Sequence, residues 1–268
     1  MSPTLLRELE SRFACVEGVL PELWQTLLRL QKGDLGIRTK RNDVDLVTIA
    51  DTTSEEILKK AIWVMFPEDG ILAEESGQSD KSGEFLWVID PVDGTINYSH
   101  GLPLFSVAIG IMHQGVSVAG IVELPALGKR YRAIKGQGAF CDGSPIRVSG
   151  TSDFSKALVV TGFPYDRLER IESLVADVKA MLLNARGIRR TGSAAMDLCW
   201  IANGFFDAFF EIELSPWDTC AASVIAREAG ARLTDYAGNE HDPSMKPIAA
   251  SNGLIHEKLL SLLAEHPH

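Results

Sequence analysis

Between residues 70 and 149 the chain is a succession of short apolar runs, each closed by glycine, proline or a polar turn former, and beyond residue 150 that pattern gives way to another. Runs of this kind read as β-strands. They fall at 70–73, 85–89, 104–112, 116–124, 130–140 and 145–149, and His113-Gln114-Gly115 joins the two longest apolar runs as a hairpin turn. Gly136-Gln137-Gly138 lacks the third glycine of a nucleotide-binding loop and no helix follows it, so it reads as a turn between strands. From 158 the signals alternate: strands at 158–161 and near Ile188, at 207–214, 232–235 and 248–251, with helices at about 168–183, 194–202, 217–228 and 253–264. Gly204 and Gly230 stand where two of those helices should end. A β-meander half followed by an alternating half predicts an α+β fold.

The start of the chain is helical. Ser2-Pro3 suits a helix beginning, and apolar residues recur at helical spacing from Leu5, Leu6 and Leu9 through Phe13 and Val16 to Leu30, with Pro21 kinking or dividing the run. Residues 33–42 read as a loop carrying Lys40, and 44–50 as a short apolar run ending near Asp51. Thr53-Ser54-Glu55-Glu56 looks like a capping box, opening a helix that stops near Phe66, before Pro67. The 268 residues suffice for one large domain, 1–268, with approximate subdomains 1–150 and 151–268.

Charge narrows the function. The net charge of −10 argues against a broadly basic face for nucleic acid or anionic lipid, and no apolar run reaches the length of a membrane span. Cys15, Cys141, Cys199 and Cys220 are scattered without metal-ligand spacing, and no signal peptide is read, which together predict a cytoplasmic protein with free thiols. Asn97-Tyr98-Ser99 matches a glycosylation sequon, read as a chance match.

Directly after the run 85–89 comes Asp90-Pro91-Val92-Asp93-Gly94-Thr95. Two carboxylates can hold hard divalent cations, Gly94 lets the backbone approach an anion, and a hydroxyl can orient water. The same residues also build ordinary turns. Other acids stand nearby in type: Glu74 and Glu75 past the run 70–73, Asp51 two residues before the expected cap, and Asp218 after Pro216, where a helix begins. Asp51 and Asp218 could equally serve helix N-termini.

Taken together these segments resemble the inositol monophosphatase family, Mg²⁺-dependent and lithium-sensitive sugar phosphatases. The resemblance rests on Trp87-Val-Ile-Asp90-Pro-Val-Asp93-Gly-Thr95-Ile-Asn97-Tyr98 and Trp217-Asp218-Thr-Cys-Ala-Ala-Ser-Val-Ile-Ala-Arg-Glu228-Ala-Gly230. Asp45 to Asp51, Ala73 to Ser76 and Gly192 to Ala195 support it. The family implies a layered αβαβα sandwich, two or three Mg²⁺ per subunit with Mn²⁺ as a substitute, and a homodimer. It implies metal ligation by Glu74, Asp90, the Val92 carbonyl, Asp93 and Asp218, and water activation by Thr95 with Asp51, shared with Glu74. Asp93, Gly94, Thr95, Ala194, Glu211 and Asp218 would contact a small sugar or polyol phosphate. Lys40 matches a basic residue in the mobile loop that helps close the site, and Glu75, next to Glu74, is a further candidate. Inositol monophosphate is the expected substrate. Fructose 1,6-bisphosphate is the alternative, since Thr161 to Arg167 and Ser215-Pro216 look more like bacterial and archaeal relatives than animal ones. A regulatory protein acting with the transcription machinery is the reading from a different class.

Overall fold

The structure is a computed structural model that describes residues 1–40, 45–81 and 83–264. The last two positions of the predicted 33–42 loop, and the first of the 44–50 run, lie outside the described residues.

Ser2 caps α1 (Pro3–Glu17) by accepting the Leu5 N–H, with Pro3 in the first turn. The helix stops at Gly18, and α2 (Leu20–Leu30) restarts with Pro21 in its own first turn, so the proline divides the predicted helix. The predicted loop contains β1 (Arg38–Thr39), which pairs with β2 (Leu46–Val47). α3 (Ile49–Met65) begins ahead of the expected box at Thr53. The working box is Thr48 with Asp51: the Asp51 carboxylate accepts the Thr48 N–H at 2.8 Å while the Thr48 hydroxyl accepts from Ala50. Aspartate at the third helical position closes such a box as glutamate does. Asp51 therefore lies inside the helix, and its placement before a cap is corrected.

A large sheet follows: β3 (Gly70–Ala73), β4 (Gly77–Gln78), β5 (Phe85–Asp93), then the short α4 (Thr95–Ser99), β6 (Ser106–His113), β7 (Val116–Leu124), β8 (Lys129–Ile134), β9 (Ala139–Cys141) and β10 (Ser144–Pro145). Their order is β10-β9-β8-β7-β6-β5-β3-β4, antiparallel except where β3 runs parallel to β5. The predicted strand 130–140 is two strands, because Gly136 and Gly138 take positive φ and turn the chain between them. The predicted strand 145–149 is reduced to the two-residue β10. The second sheet contains β11 (Leu158–Thr161), β12 (Gly187–Arg189), β13 (Ala208–Glu211), β14 (Arg232–Thr234) and β15 (Ile248–Ser251), in the order β12-β11-β13-β15-β14. Between its strands run α5 (Ile171–Asn184), α6 (Ala194–Ala202) and α7 (Pro216–Glu228), and α8 (His256–Leu263) follows it.

Alternation along the strands explains the layers. Trp87, Ile89, Val107, Ile109 and Ile121 face one side of the large sheet and pack with α1, α2 and α3 around Leu9, Phe13, Leu27, Leu58 and Ile62. Ala108, Val122, Tyr131 and Ala133 face the other side and meet α6 and α7 together with Val160, Phe209 and Ala250 of the second sheet. Val159, Ala208, Phe210 and Ala249 close the far face under α5 and α8. The order helices, sheet, helices, sheet, helices is the expected αβαβα sandwich, and the fold class is mixed α and β. Mutually paired Gly110 and Gly120 set how closely α7 approaches. A Cβ on Gly110 would stand 2.5 Å from the Cys220 Sγ, and one on Gly120 would stand 2.3 Å from the Ala221 carbonyl oxygen. The helix thus rests directly on the sheet backbone, two residues past Asp218.

Candidate active site

In a regular strand, Asp90 and Asp93 would point to opposite faces, because side chains alternate. Here β5 continues beyond Ile89, where the sequence reading ended it, and its register against β6 slips: Asp90 pairs with Ala108 but Asp93 with Ser106. Three steps on one strand oppose two on the other, a bulge that re-aims side chains. Pro91 falls within it, where no ladder N–H is needed, and its carbonyl accepts the Ser54 hydroxyl of α3 at 3.0 Å. Both aspartates, 2% and 7% exposed, consequently face one cavity.

Asp218 arrives from the first turn of α7, as predicted. It closes a capping box with Ser215, accepting that residue's N–H at 2.6 Å. One carboxylate oxygen from each of Asp90, Asp93 and Asp218 lies within 4.8 Å of the others. Among the described residues no lysine or arginine forms an ion pair with any of the three. Burial and mutual repulsion therefore favour their protonated forms. Asp90 is pushed well above the usual carboxylate range by burial and then by Glu74, Asp93 and Asp218. Asp218 is pushed up to about 8 by burial and by the charges of Asp93 and Glu74.

Asp93 is gripped by hydrogen bonds. Its Oδ2 accepts the Ser193 hydroxyl at 2.5 Å, the Ser106 hydroxyl at 2.9 Å and the Ala195 N–H at 2.9 Å, while Oδ1 accepts only the Ala194 N–H at 3.2 Å. Burial raises its pKa and these donors oppose the rise. Oδ1 is the oxygen left with capacity to ligate, and the Ala194 N–H assigned to substrate is partly engaged by Asp93 itself.

Thr95 opens α4 directly after Gly94, which is left-handed at φ 94°. A Cβ there would stand 3.0 Å from the Gly192 carbonyl oxygen, so the niche requires glycine. The Thr95 hydroxyl lies 3.0 Å from both Asp51 Oδ1 and the Val92 carbonyl oxygen, which places the expected Thr95–Asp51 pair on the same side as the aspartates. Glu74 lines the cavity beside Asp90, but its Oε1 accepts from the Lys40 ammonium at 2.8 Å. Glu75 accepts from the same ammonium at 2.5 Å and does not line the cavity. Lys40, expected on the mobile-loop side of the site, is thus a bridge between two carboxylates.

The cavity has two lobes that share Asp93, Gly94, Thr95, Tyr165, Glu213 and Asp218. The lobe over the aspartates holds about 230 Å³ and the other about 100 Å³. Glu211 lines the smaller lobe at 8% exposure, so it is no solvated strand residue. Gly162 makes its space: a Cβ there would stand 2.1 Å from Glu211 Oε2. Burial pushes the Glu211 carboxyl well up. Sequence reasoning missed Asp197, Arg190, Glu213 and Lys246, which also line the lobes. Asp197 lies in the first turn of α6, where an acid is common and signals no site. Glu213, held by Lys246 at 2.7 Å and Arg170 at 3.3 Å, carried no local signal at all.

The donor set is all oxygen, from carboxylates and a backbone carbonyl, without histidine or cysteine. Such sets suit Mg²⁺ or Mn²⁺ rather than Zn²⁺. A compact trio of acids, two buried and one half-buried, with no cationic partner among the described residues, is what a hard divalent ion would neutralise, so the residues fit.

Comparison with known proteins agrees with this chemistry. Residues 13–268 match the profile of the inositol monophosphatase family. An inositol-1-monophosphatase of Synechocystis is 39% identical over 247 residues, covering 91% of this chain and 83% of that protein. A fructose-1,6-bisphosphatase/inositol-1-monophosphatase of Aquifex aeolicus is 36% identical over 227 residues, covering 85% of each. The crystal structure of the extragenic suppressor protein suhB from Bartonella henselae superposes with a TM-score of 0.87 at 31% identity, covering 92% of this chain and 98% of that one.

Proposed function

The chain belongs to the inositol monophosphatase family and is a phosphoric monoester hydrolase, and we propose that it is a Mg²⁺-dependent phosphatase of inositol monophosphate. The observation that carries the reading is the close Asp90–Asp93–Asp218 trio, its first two members buried, to which no cation of the described chain is paired. Glu74, Asp90, the Val92 carbonyl, Asp93 and Asp218 would hold two or three Mg²⁺. When bound, the ions supply charge neutralisation for the phosphoryl group and acidify water.

The protein's own groups do the rest. The Thr95 hydroxyl donates to Asp51 Oδ1, which leaves its lone pairs to orient the attacking water and, with Asp51 as the ultimate base, to take its proton. Glu74, which also lines the cavity, shares this role. The N–H groups of Gly94 and Thr95, at the start of α4, bind phosphate oxygens. Asp93, the Ala194 backbone and Glu211 meet the polyol in the smaller lobe. No covalent intermediate is needed. A fructose bisphosphatase or dual activity is the second reading, favoured by the Aquifex relative and by Arg190 and Lys246, the two basic residues lining the lobes.

We also read the protein as one domain, located in the cytoplasm and inhibited by Li⁺; no helix among the described residues is long and apolar enough to cross a membrane. A second copy of the chain is the partner its surface suits. Leu168, Ile171, Val175 and Leu182 are exposed, and with Val178 they repeat at heptad spacing along and just before α5. Glu172 and Lys179 flank that stripe so that an antiparallel copy centred between Val175 and Ala176 would set each against the other.

Phosphate release from inositol 1-phosphate, fructose 1,6-bisphosphate and other sugar phosphates, with and without Mg²⁺, tests the reading. Metal-dependent release from inositol 1-phosphate is expected, and none from any substrate would sink it.

A further inference from the structure

We infer that Asn97 is a positioning residue that sets the metal-binding geometry of Asp93 without touching it. The inference rests on the reading of Asp93 as a metal ligand. Asn97 lies in α4, is 6% exposed, and spends both amide hydrogens on main-chain carbonyls: Nδ2 donates to Leu104 O and to Thr191 O, each at 2.7 Å. Its bonding is thereby committed inside the fold, which also removes it as a glycosylation site.

The two segments it ties are the two that hold Asp93. Ser106 follows Leu104 by two residues and Ser193 follows Thr191 by two, and both hydroxyls donate to the same Asp93 oxygen, at 2.9 and 2.5 Å. They also lie 3.2 Å from each other. The same segments wall the Gly94 niche, since the Leu104 and Gly192 carbonyl oxygens would stand 3.2 and 3.0 Å from a Cβ at Gly94. Thr191 is fixed a second time, its hydroxyl donating to Asp197 Oδ1 at 2.6 Å. One side-chain amide therefore sets the spacing between the entry to β6 and the entry to α6. That spacing decides which Asp93 oxygen is saturated by the protein and which is turned to the trio. A carboxylate at position 97 would face two carbonyl oxygens with no hydrogen to offer them when ionised, and the segments would part.

The test is Asn97→Asp, nearly isosteric, followed by calorimetric titration of the metal-free protein with Mn²⁺ and by thermal melting. Groups that orient a ligand typically contribute 10–100-fold in metal affinity, and a weakening on that order is expected. The loss should be shared with Ser193→Ala: in a double-mutant cycle the two effects should be clearly less than additive, because both act through Asp93. A lowered melting temperature with an unchanged Mn²⁺ isotherm, or strict additivity with Ser193→Ala, overturns the assignment and leaves Asn97 a structural brace only. Asn97→Ser, able to donate to only one of the two carbonyls, is read by the same isotherm should Asn97→Asp not fold. Asp93→Asn run in parallel separates the two claims. Binding present in the unsubstituted protein and lost in Asp93→Asn establishes the metal site, so an unmoved isotherm in the Asn97 variants then counts against the positioning role alone.

Discussion

Two groups of acids border one cavity, and the chain treats them in opposite ways. Glu74 and Glu75 share the ammonium of Lys40, which their charges raise well above the usual lysine range. Asp90, Asp93 and Asp218 bring one carboxylate oxygen each within 4.8 Å of the others, the first two buried and the third half-buried, and receive hydrogen bonds but no cation from the described chain. Bringing buried carboxylates together without a counter-charge is costly. Among the described residues one group has a lysine and the other has none, and the second is where a cation from solution is most needed.

The contrast is open to attack. The largest effect should come from Asp93→Asn, which removes charge from the trio while keeping its shape: phosphate release should fall on the order of 10³-fold, the scale of losing a key electrostatic group, with the circular dichroism unchanged. Near-normal turnover would dismiss the trio as the centre.

Next comes pH. Asp218 is pushed up to about 8, against an unfolded value near 3.9. The folded state therefore keeps a proton that the unfolded state has released, and stability contributed by that proton is lost as pH rises from about 4 to about 8. Melting of EDTA-treated protein should drop by on the order of 5 °C across that range, and saturating Mg²⁺, replacing the protons, should abolish the drop. A flat metal-free profile would contradict the uncompensated trio.

A smaller effect is expected from Lys40→Ala. The Lys40 pair is partly exposed, so its loss should cost about 1 kcal/mol or less of stability in urea unfolding. With the ammonium gone, Glu74, one of the proposed ligands, no longer has a competing cation, so the Mn²⁺ isotherm should tighten. The smallest belongs to Glu75→Gln: it lies outside the cavity, and turnover should stay within about threefold, a change below 1 kcal/mol. A large loss there would mean that the two groups act as one.

Much of this was legible in the chain because its signals are local. The hairpin at His113 to Gly115, the helix over 194–202 and the Pro21 division follow from turn chemistry and periodicity that nearby residues set. The aspartates were legible as candidates through their motifs. What escaped was non-local. The β5 bulge holds Pro91 within the strand, where Ser54 and Ser106 from distant segments meet it, and its effect on Asp90 and Asp93 cannot be seen from spacing. The α3 start was misplaced because two possible boxes compete within six residues, and burial of Asp51 beside Thr95 decides between them. Glu213 and Lys246 meet across a long stretch of chain, so no window contains both. The Glu211 carboxyl is buried only because Gly162, far away in sequence, has no side chain.

The paired glycines beneath α7 carry a further consequence. With Cys220 and Ala221 seated on main-chain atoms of β6 and β7, the distance from Asp218 to the end of β5 is gauged by backbone against backbone. A single methyl group at 110 or 120 would lift the helix that carries Asp218 off the sheet and so widen the gap between the carboxylates.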